Sequence, residues 1–282
     1  MFATVRVSSW EEARVVQNEL FGWRFRGHQD AAWHLSSRLE RHAQLFGCDL
    51  GILANRERWI LREFRRRAHH YLAALPSEIN LIEWLALIQH HGGPTRLLDF
   101  SHSFYIAAFF AMENATQDAA VWAIDYFKLM SRLMELTEGS GTEYIHDTHR
   151  RHEAIAATIL NGDSQDRLVL GIEPEIMNER LSIQQGSFLF PCDITTSFEQ
   201  NLADTLGVPL SIFDQERIVS SNQLRPEIVS GAAIVKVVLP QTMHTPALLD
   251  LKSMNISATT LFPGLDGFAR SLALYLRPIS VE

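Results

Sequence analysis

A sharp, stiffened turn is written into Gln89-His90-His91-Gly92-Gly93-Pro94-Thr95-Arg96-Leu97-Leu98-Asp99-Phe100-Ser101, which lies between two apolar segments. Gly92 and Gly93 permit positive φ, and Pro94 fixes its own φ while keeping Gly93 out of the α region. Upstream, Trp84, Leu85, Leu87 and Ile88 predict a buried helical segment; downstream, Phe104, Tyr105, Ile106, Phe109 and Phe110 predict another. Five strongly polar groups, His90, His91, Thr95, Arg96 and Asp99, therefore share one short connector. Its structural reading is an ion pair between Arg96 and Asp99, with Asp99 or Ser101 capping the next helix. Its functional reading is a site that these groups face.

The chain has 282 residues, of which 46% are hydrophobic, enough for a sizeable core. Its 25 Lys and Arg against 33 Asp and Glu leave a formal charge of -8. That balance disfavours indiscriminate coating of nucleic acid but leaves room for a local basic patch. Cys48 and Cys192 are too few for a disulfide framework or a cysteine zinc site, which fits a reducing cytoplasm. The start, Met1 to Trp10, lacks a leader pattern, and the longest apolar run, Phe104 to Met112, is too short to span a bilayer. The expectation is a cytoplasmic protein without a membrane partner.

Ser9 followed by Glu11, Glu12, Ala13, Val16 and Leu20 predicts a capped helix over residues 10–20. Trp23, Phe25 and Gly27 then alternate as a strand, which sends Arg24 and Arg26 to the face opposite the aromatics. Residues 55–73 carry Ile60, Leu61, Phe64, Ala68, Tyr71 and Leu72 at helical spacing. The other face of that helix bears Arg58, Arg62, Arg65 and Arg66, a basic surface suited to phosphates or simply to solvent. Strands are expected at Ala119 to Ile124, Leu168 to Ile172 and Ala232 to Leu239, with the second half of the chain richer in β structure. Arg180 to Phe190 reads as a strand interrupted near Gly186. Residues 131–166 read as an insertion or lid. Within them His146, His149 and His152 are poorly grouped for a metal, and none is assigned. A loop from Asn255 leads into a last helix ending at Leu274-Tyr275-Leu276, and no linker divides residues 1–282.

Phe25-Arg26-Gly27, the connector with its continuation Ala107-Ala108-Phe109-Phe110-Ala111, Arg180-Leu181-Ser182-Ile183-Gln184-Gln185-Gly186-Ser187-Phe188 and Leu261-Phe262-Pro263-Gly264-Leu265-Asp266-Gly267 together resemble the FRG domain. The resemblance runs from about residue 20 to residue 275, so the chain reads as a single FRG-type domain. It implies an α+β fold in which a helical N-terminal half packs on a split, mostly antiparallel β-core like that of ADP-ribosyltransferases, with NAD held in the cleft. It also implies a bacterial toxin or phage-defence setting, a nucleic-acid or protein acceptor and a neutralising antitoxin.

By that resemblance Arg26 at the end of the first strand holds an NAD phosphate, and Phe25 and Gly27 line the dinucleotide site. The nearest polar substitute for the fold's catalytic glutamate is Gln184-Gln185-Gly186. The residues nominated for chemistry are Arg26, His90 and Gln185. Those nominated for NAD binding are Phe25, Arg26, Gly27, Arg96, Asp99 and Gln184. Each has a structural alternative: Arg26 pairs with a core carboxylate such as Asp99, Arg96 serves only the turn, and His90 caps its own helix. Two other functions stay open, a noncatalytic nucleotide- or nucleic-acid-binding module and a metal-independent nucleotide hydrolase using His90 as acid or base.

Overall fold

The computed structural model describes residues 2–137, 154–162, 166–174, 176–215 and 217–277. Among the described residues eight strands form one mixed, mostly antiparallel sheet: β1 (Phe2–Arg6), β2 (Arg24–His28), β3 (Leu98–Ser101), β4 (Ala119–Ile124), β5 (Val169–Ile172), β6 (Gly186–Pro191), β7 (Ile218–Val219) and β8 (Ile234–Leu239). Their order is β5-β6-β3-β2-β4-β8-β1-β7, with β1 parallel to both β7 and β8. The join between β3 and β2 is the weak one. It has a single register pair, Phe25 with Ser101, whereas β2 follows β4 from Arg24 to His28 and β3 follows β6 from Leu98 to Ser101. A three-stranded ladder and a five-stranded ladder thus meet at one residue pair within a single continuous sheet, so the α+β, mostly antiparallel architecture is as expected, with one sheet where a split core was implied.

The helices are α1 (Trp10–Asn18), α2 (Arg38–Leu45), α3 (Leu53–Ala68), α4 (Leu81–His90), α5 (Phe104–Met112), α6 (Tyr126–Thr137), α7 (helical residues 154–161), α8 (Glu179–Ile183), α9 (Phe198–Leu206), α10 (Ser221–Val229), α11 (His244–Ser253), α12 (Ala258–Leu261) and α13 (Leu265–Ser271). One face of the whole sheet is covered by a core that joins Trp122, Phe100 and Leu189 to Leu129 of α6 and Phe198 of α9. The other face carries two cores. Val121, Val237 and Phe25 pack with α1, α5 and α11 over the five-stranded ladder, while Phe188, Phe190 and Leu170 pack with α3, α4 and α7 over the three-stranded one. Strand alternation explains this division, because successive side chains leave opposite faces. The seam between the two ladders is therefore also the seam between two cores.

Several expectations need correction. Residues 180–190 are not one strand: Asn178 caps α8 by accepting from Leu181 N at 2.9 Å, and a turn at Gln184-Gln185 precedes β6. The α5 cap is Ser103, whose hydroxyl accepts from Ile106 N; Ser101 instead accepts from Ser103 N and donates to Gln184 O. β1 and β3 were not anticipated, so the sheet draws four of its strands from before residue 125. In the described parts of 131–166 Leu133, Ala156 and Leu160 are buried; His146, His149 and His152 lie outside the described residues. Among the described residues no helix is long and apolar enough to cross a membrane.

Candidate functional site

Where the ladders part, a cavity of about 210 Å³ opens. Its walls come from β2 (Phe25, Arg26, Gly27), the end of α4 (Gln89, His90), β3 (Asp99) and the α8 turn (Arg180, Gln184). Each element has a local reason to sit there. The α4 helix ends at the glycine turn, where Gly92 adopts φ +81° and Arg38 Nη1 donates to its carbonyl at 2.7 Å. Gly27 lets α5 approach β2 until backbones touch: a Cβ there would stand 2.1 Å from Ala107 O and 2.6 Å from Ala111 N. The glycine of the Phe-Arg-Gly segment thus serves helix-to-strand packing, in addition to lining the cavity.

Arg26 leaves β2 beside Trp122 and reaches across the seam. Its Nη1 donates to the Asp99 carbonyl at 2.8 Å and lies 3.9 Å from the Asp99 carboxylate. Its Nε donates to His28 Nε2 at 3.1 Å. A guanidinium can only donate, so Nε2 must be bare and the proton must sit on Nδ1, which donates to Trp33 O at 3.3 Å. Burial first, then the Arg26 charge, holds the His28 pKa down to about 3. Burial also lowers that of Arg26 to about 10, partly offset by Asp99, and the guanidinium remains charged at neutral pH.

Asp99 is the one carboxylate among the described residues lining the cavity. Gln89 fixes it: the amide donates to Asp99 Oδ2 at 2.9 Å and to Leu97 O at 3.1 Å, while its oxygen accepts from the Thr95 hydroxyl. Arg180 enters from α8 with its guanidinium 4.6 Å over the Phe262 ring, its pKa lowered by burial against the opposing pull of Asp99. His90 stays neutral, since burial, His91 and Arg180 all disfavour a proton. The wall therefore combines two cations, one oriented carboxylate, one neutral imidazole and several amides. Such a set suits an anionic ligand that also presents a developing positive charge.

Phe25, Arg26, Gly27, His90, Asp99 and Gln184 thus come together, as nominated; Gln185 and Arg96 do not. Gln185 takes φ +48°, and that left-handed turn leaves it exposed while Gln184 faces inward and donates to Leu261 O at 3.0 Å. Arg96 is 2% exposed and bound to Glu57 (Nε to Oε2 2.7 Å) and to the Cys192 carbonyl at 3.1 Å, so the expected pair with Asp99 is replaced by one with α3. A buried guanidinium needs its carboxylate buried with it. Arg58, Arg62, Arg65 and Arg66 line a separate groove. Glu173, the first residue of a Glu-Pro-Glu segment, ends near His102 Nε2 (3.2 Å) and Arg24 (4.0 Å), away from the cavity lining. Sequence reading missed His28, Gln89 and Arg180 as site residues. The signal for His28 was its two-residue spacing from Arg26 on an alternating strand.

Residues 22–120 match the family model of the FRG domain. That span contains β2, α4, β3 and α5, hence most of the cavity wall but not Arg180 or Gln184. No curated protein and no solved structure matches the chain.

Proposed function

We propose, from the match of residues 22–120 to the FRG domain model, that the protein is an NAD-dependent ADP-ribosyltransferase-like enzyme, a cytoplasmic toxin or defence effector acting on a nucleic-acid or protein acceptor. One observation carries the reading: Arg26, Arg180, Asp99 and His90 converge on a single cavity at the parting of two β-ladders. At about 210 Å³ it is smaller than the ~300–1,000 Å³ of pockets that engulf whole drug-sized ligands. It therefore takes one end of a dinucleotide, with the remainder running out along the open seam.

In this reading Arg26 and Arg180 hold phosphate oxygens, a task for which guanidinium geometry is suited. The Asp99 carboxylate, kept in place by Gln89, faces the ribose. As the bond from C1′ to the pyridinium nitrogen breaks, its electron pair goes to nicotinamide, which leaves neutral. Asp99 stabilises the positive charge left on the ribose. A lone pair of the acceptor then forms the new bond to C1′, and the acceptor's proton passes to Asp99 or to water. Neutral His90 and the Gln184 amide orient carboxamide and hydroxyl groups. Asp99 thus stands in the role first assigned to Gln185, whose amide has no negative charge to offer.

The test is free nicotinamide measured by chromatography after incubation with NAD and lysate. Wild type should release it, Asp99→Asn should lower the rate at least about a hundredfold, and Arg26→Lys should also reduce it. Absence of release from folded wild-type protein with every acceptor fraction would defeat the proposal.

A further inference from the structure

The second notable surface is a broad groove between α3, α4 and α7, about 580 Å³ in volume. Four arginines line it, Arg58, Arg62, Arg65 and Arg66, against one carboxylate among the described residues, Glu78. Their spacing puts Arg58, Arg62 and Arg65 one turn apart along a single stripe of α3. The cations differ in how they are held. Arg58 donates to Asn55 Oδ1 at 2.6 Å, Arg65 lies 5.4 Å over the buried Trp84 ring, and Arg66 pairs with Glu63 at 2.9 Å. Arg62 makes no hydrogen bond or ion pair to any described residue and is exposed. Beside this stripe stands Trp59, which is 59% exposed although it is among the largest apolar side chains. Trp59, Arg62 and Arg66 share one helix face by their spacing.

We infer that this groove binds single-stranded nucleic acid, with the arginines on successive phosphates and Trp59 as a stacking surface for a base. The charge distribution favours that occupant. A chain of formal charge -8 has concentrated guanidinium groups on one groove, and at physiological salt charges beyond ~8 Å are largely screened, so the local cations decide. An exposed indole beside a row of arginines suits bases with free faces better than an acidic peptide, which offers nothing to stack. Helix α4 contributes to both the groove and the cavity. Trp84 lines the first and His90 the second, six residues or about 9 Å apart at ~1.5 Å rise per residue. Binding itself requires no turnover, so this inference stands or falls independently of the NAD reading.

The test is fluorescence anisotropy of full-length protein, without NAD, against a labelled single-stranded oligonucleotide of a dozen nucleotides, the matching duplex and a poly-glutamate peptide. The single strand should bind most tightly, with log K falling against log salt at a slope of about -3, from ~0.7 per phosphate contacted. Arg62→Glu/Arg66→Glu and the milder Arg62→Gln/Arg66→Gln, checked for folding by circular dichroism, should weaken binding at least about tenfold at low salt and flatten the slope by about 1.4. Trp59→Ala should weaken it without changing the slope. Failure of the wild type to bind the single strand at low salt, equal affinity in a folded glutamine variant, or tighter binding of the peptide would each overturn the inference.

Discussion

Replacing His28 by glutamine should alter how stability responds to acid, by an amount set by the site itself. His28 is 4% exposed and neutral, with its lone pair committed to Arg26. Burial, then Arg26, with Arg41 and Lys236 adding and the Trp33 carbonyl opposing, lowers its pKa from 6.5 to about 3. Because the folded value lies below the unfolded one, the unfolded chain takes up the proton first as pH falls. This contribution to stability is complete above pH 6.5 and lost progressively on acidification toward pH 3. Between about pH 7.5 and 5 the loss is about 2 kcal/mol. Glu40 works in the opposite sense: burial raises its pKa from 4.5 to about 7, so its contribution is complete below pH 4.5 and disappears as pH rises through 7. Glu40 is present in both proteins, so the comparison of wild type with His28→Gln removes it. Urea titrations of the two proteins at both pH values give the difference in unfolding free energy. That difference should shrink by about 2 kcal/mol from about pH 7.5 to 5. A difference constant to within about 0.5 kcal/mol would refute the neutral, acceptor role assigned to His28.

Gly27→Ala should cost about 3 kcal/mol in urea titration or prevent folding, because the new methyl meets the backbone of α5 on both contacts; a loss below about 0.5 kcal/mol would contradict the packing described. Glu57→Gln leaves the Arg96 charge buried without its carboxylate and should destabilise by about 3–5 kcal/mol, measured the same way. Gln185→Ala should keep stability within about 0.5 kcal/mol and leave NAD turnover at the wild-type rate, whereas Gln184→Ala should slow it.

Helix α1 with its Ser9 cap, α3 and β2 were legible because periodicity of 3.6 or 2 reports a buried face directly, and β4 and β8 because short, nearly continuous apolar runs rich in branched residues read as buried strands. Shorter elements were not. Leu181 and Ile183 stand two apart, as in a strand, yet a five-residue helix forms because Asn178 caps it and Gln185 turns left-handed after it. β3 was hidden inside the polar connector, where Leu98 and Phe100 face one core and Asp99 faces the cavity. Long-range partners were beyond reach of local pattern. Arg96 was matched to Asp99, three residues away, whereas its carboxylate sits on the buried side of α3, thirty-nine residues earlier. The candidate site was legible in part: the Phe-Arg-Gly strand and the glycine-proline turn named Arg26, His90 and Asp99, but the misread α8 segment gave the chemical role to Gln185 beside Gln184 and overlooked Arg180.

Calorimetric titration of NAD into intact wild-type protein and into Arg26→Lys tests the central claim most directly, since lysine keeps the charge but loses the fork that joins the Asp99 carbonyl and His28. The account predicts that the wild type binds NAD and that Arg26→Lys, folded, binds at least about tenfold more weakly. Equal affinities, or no binding by the wild type, would contradict it.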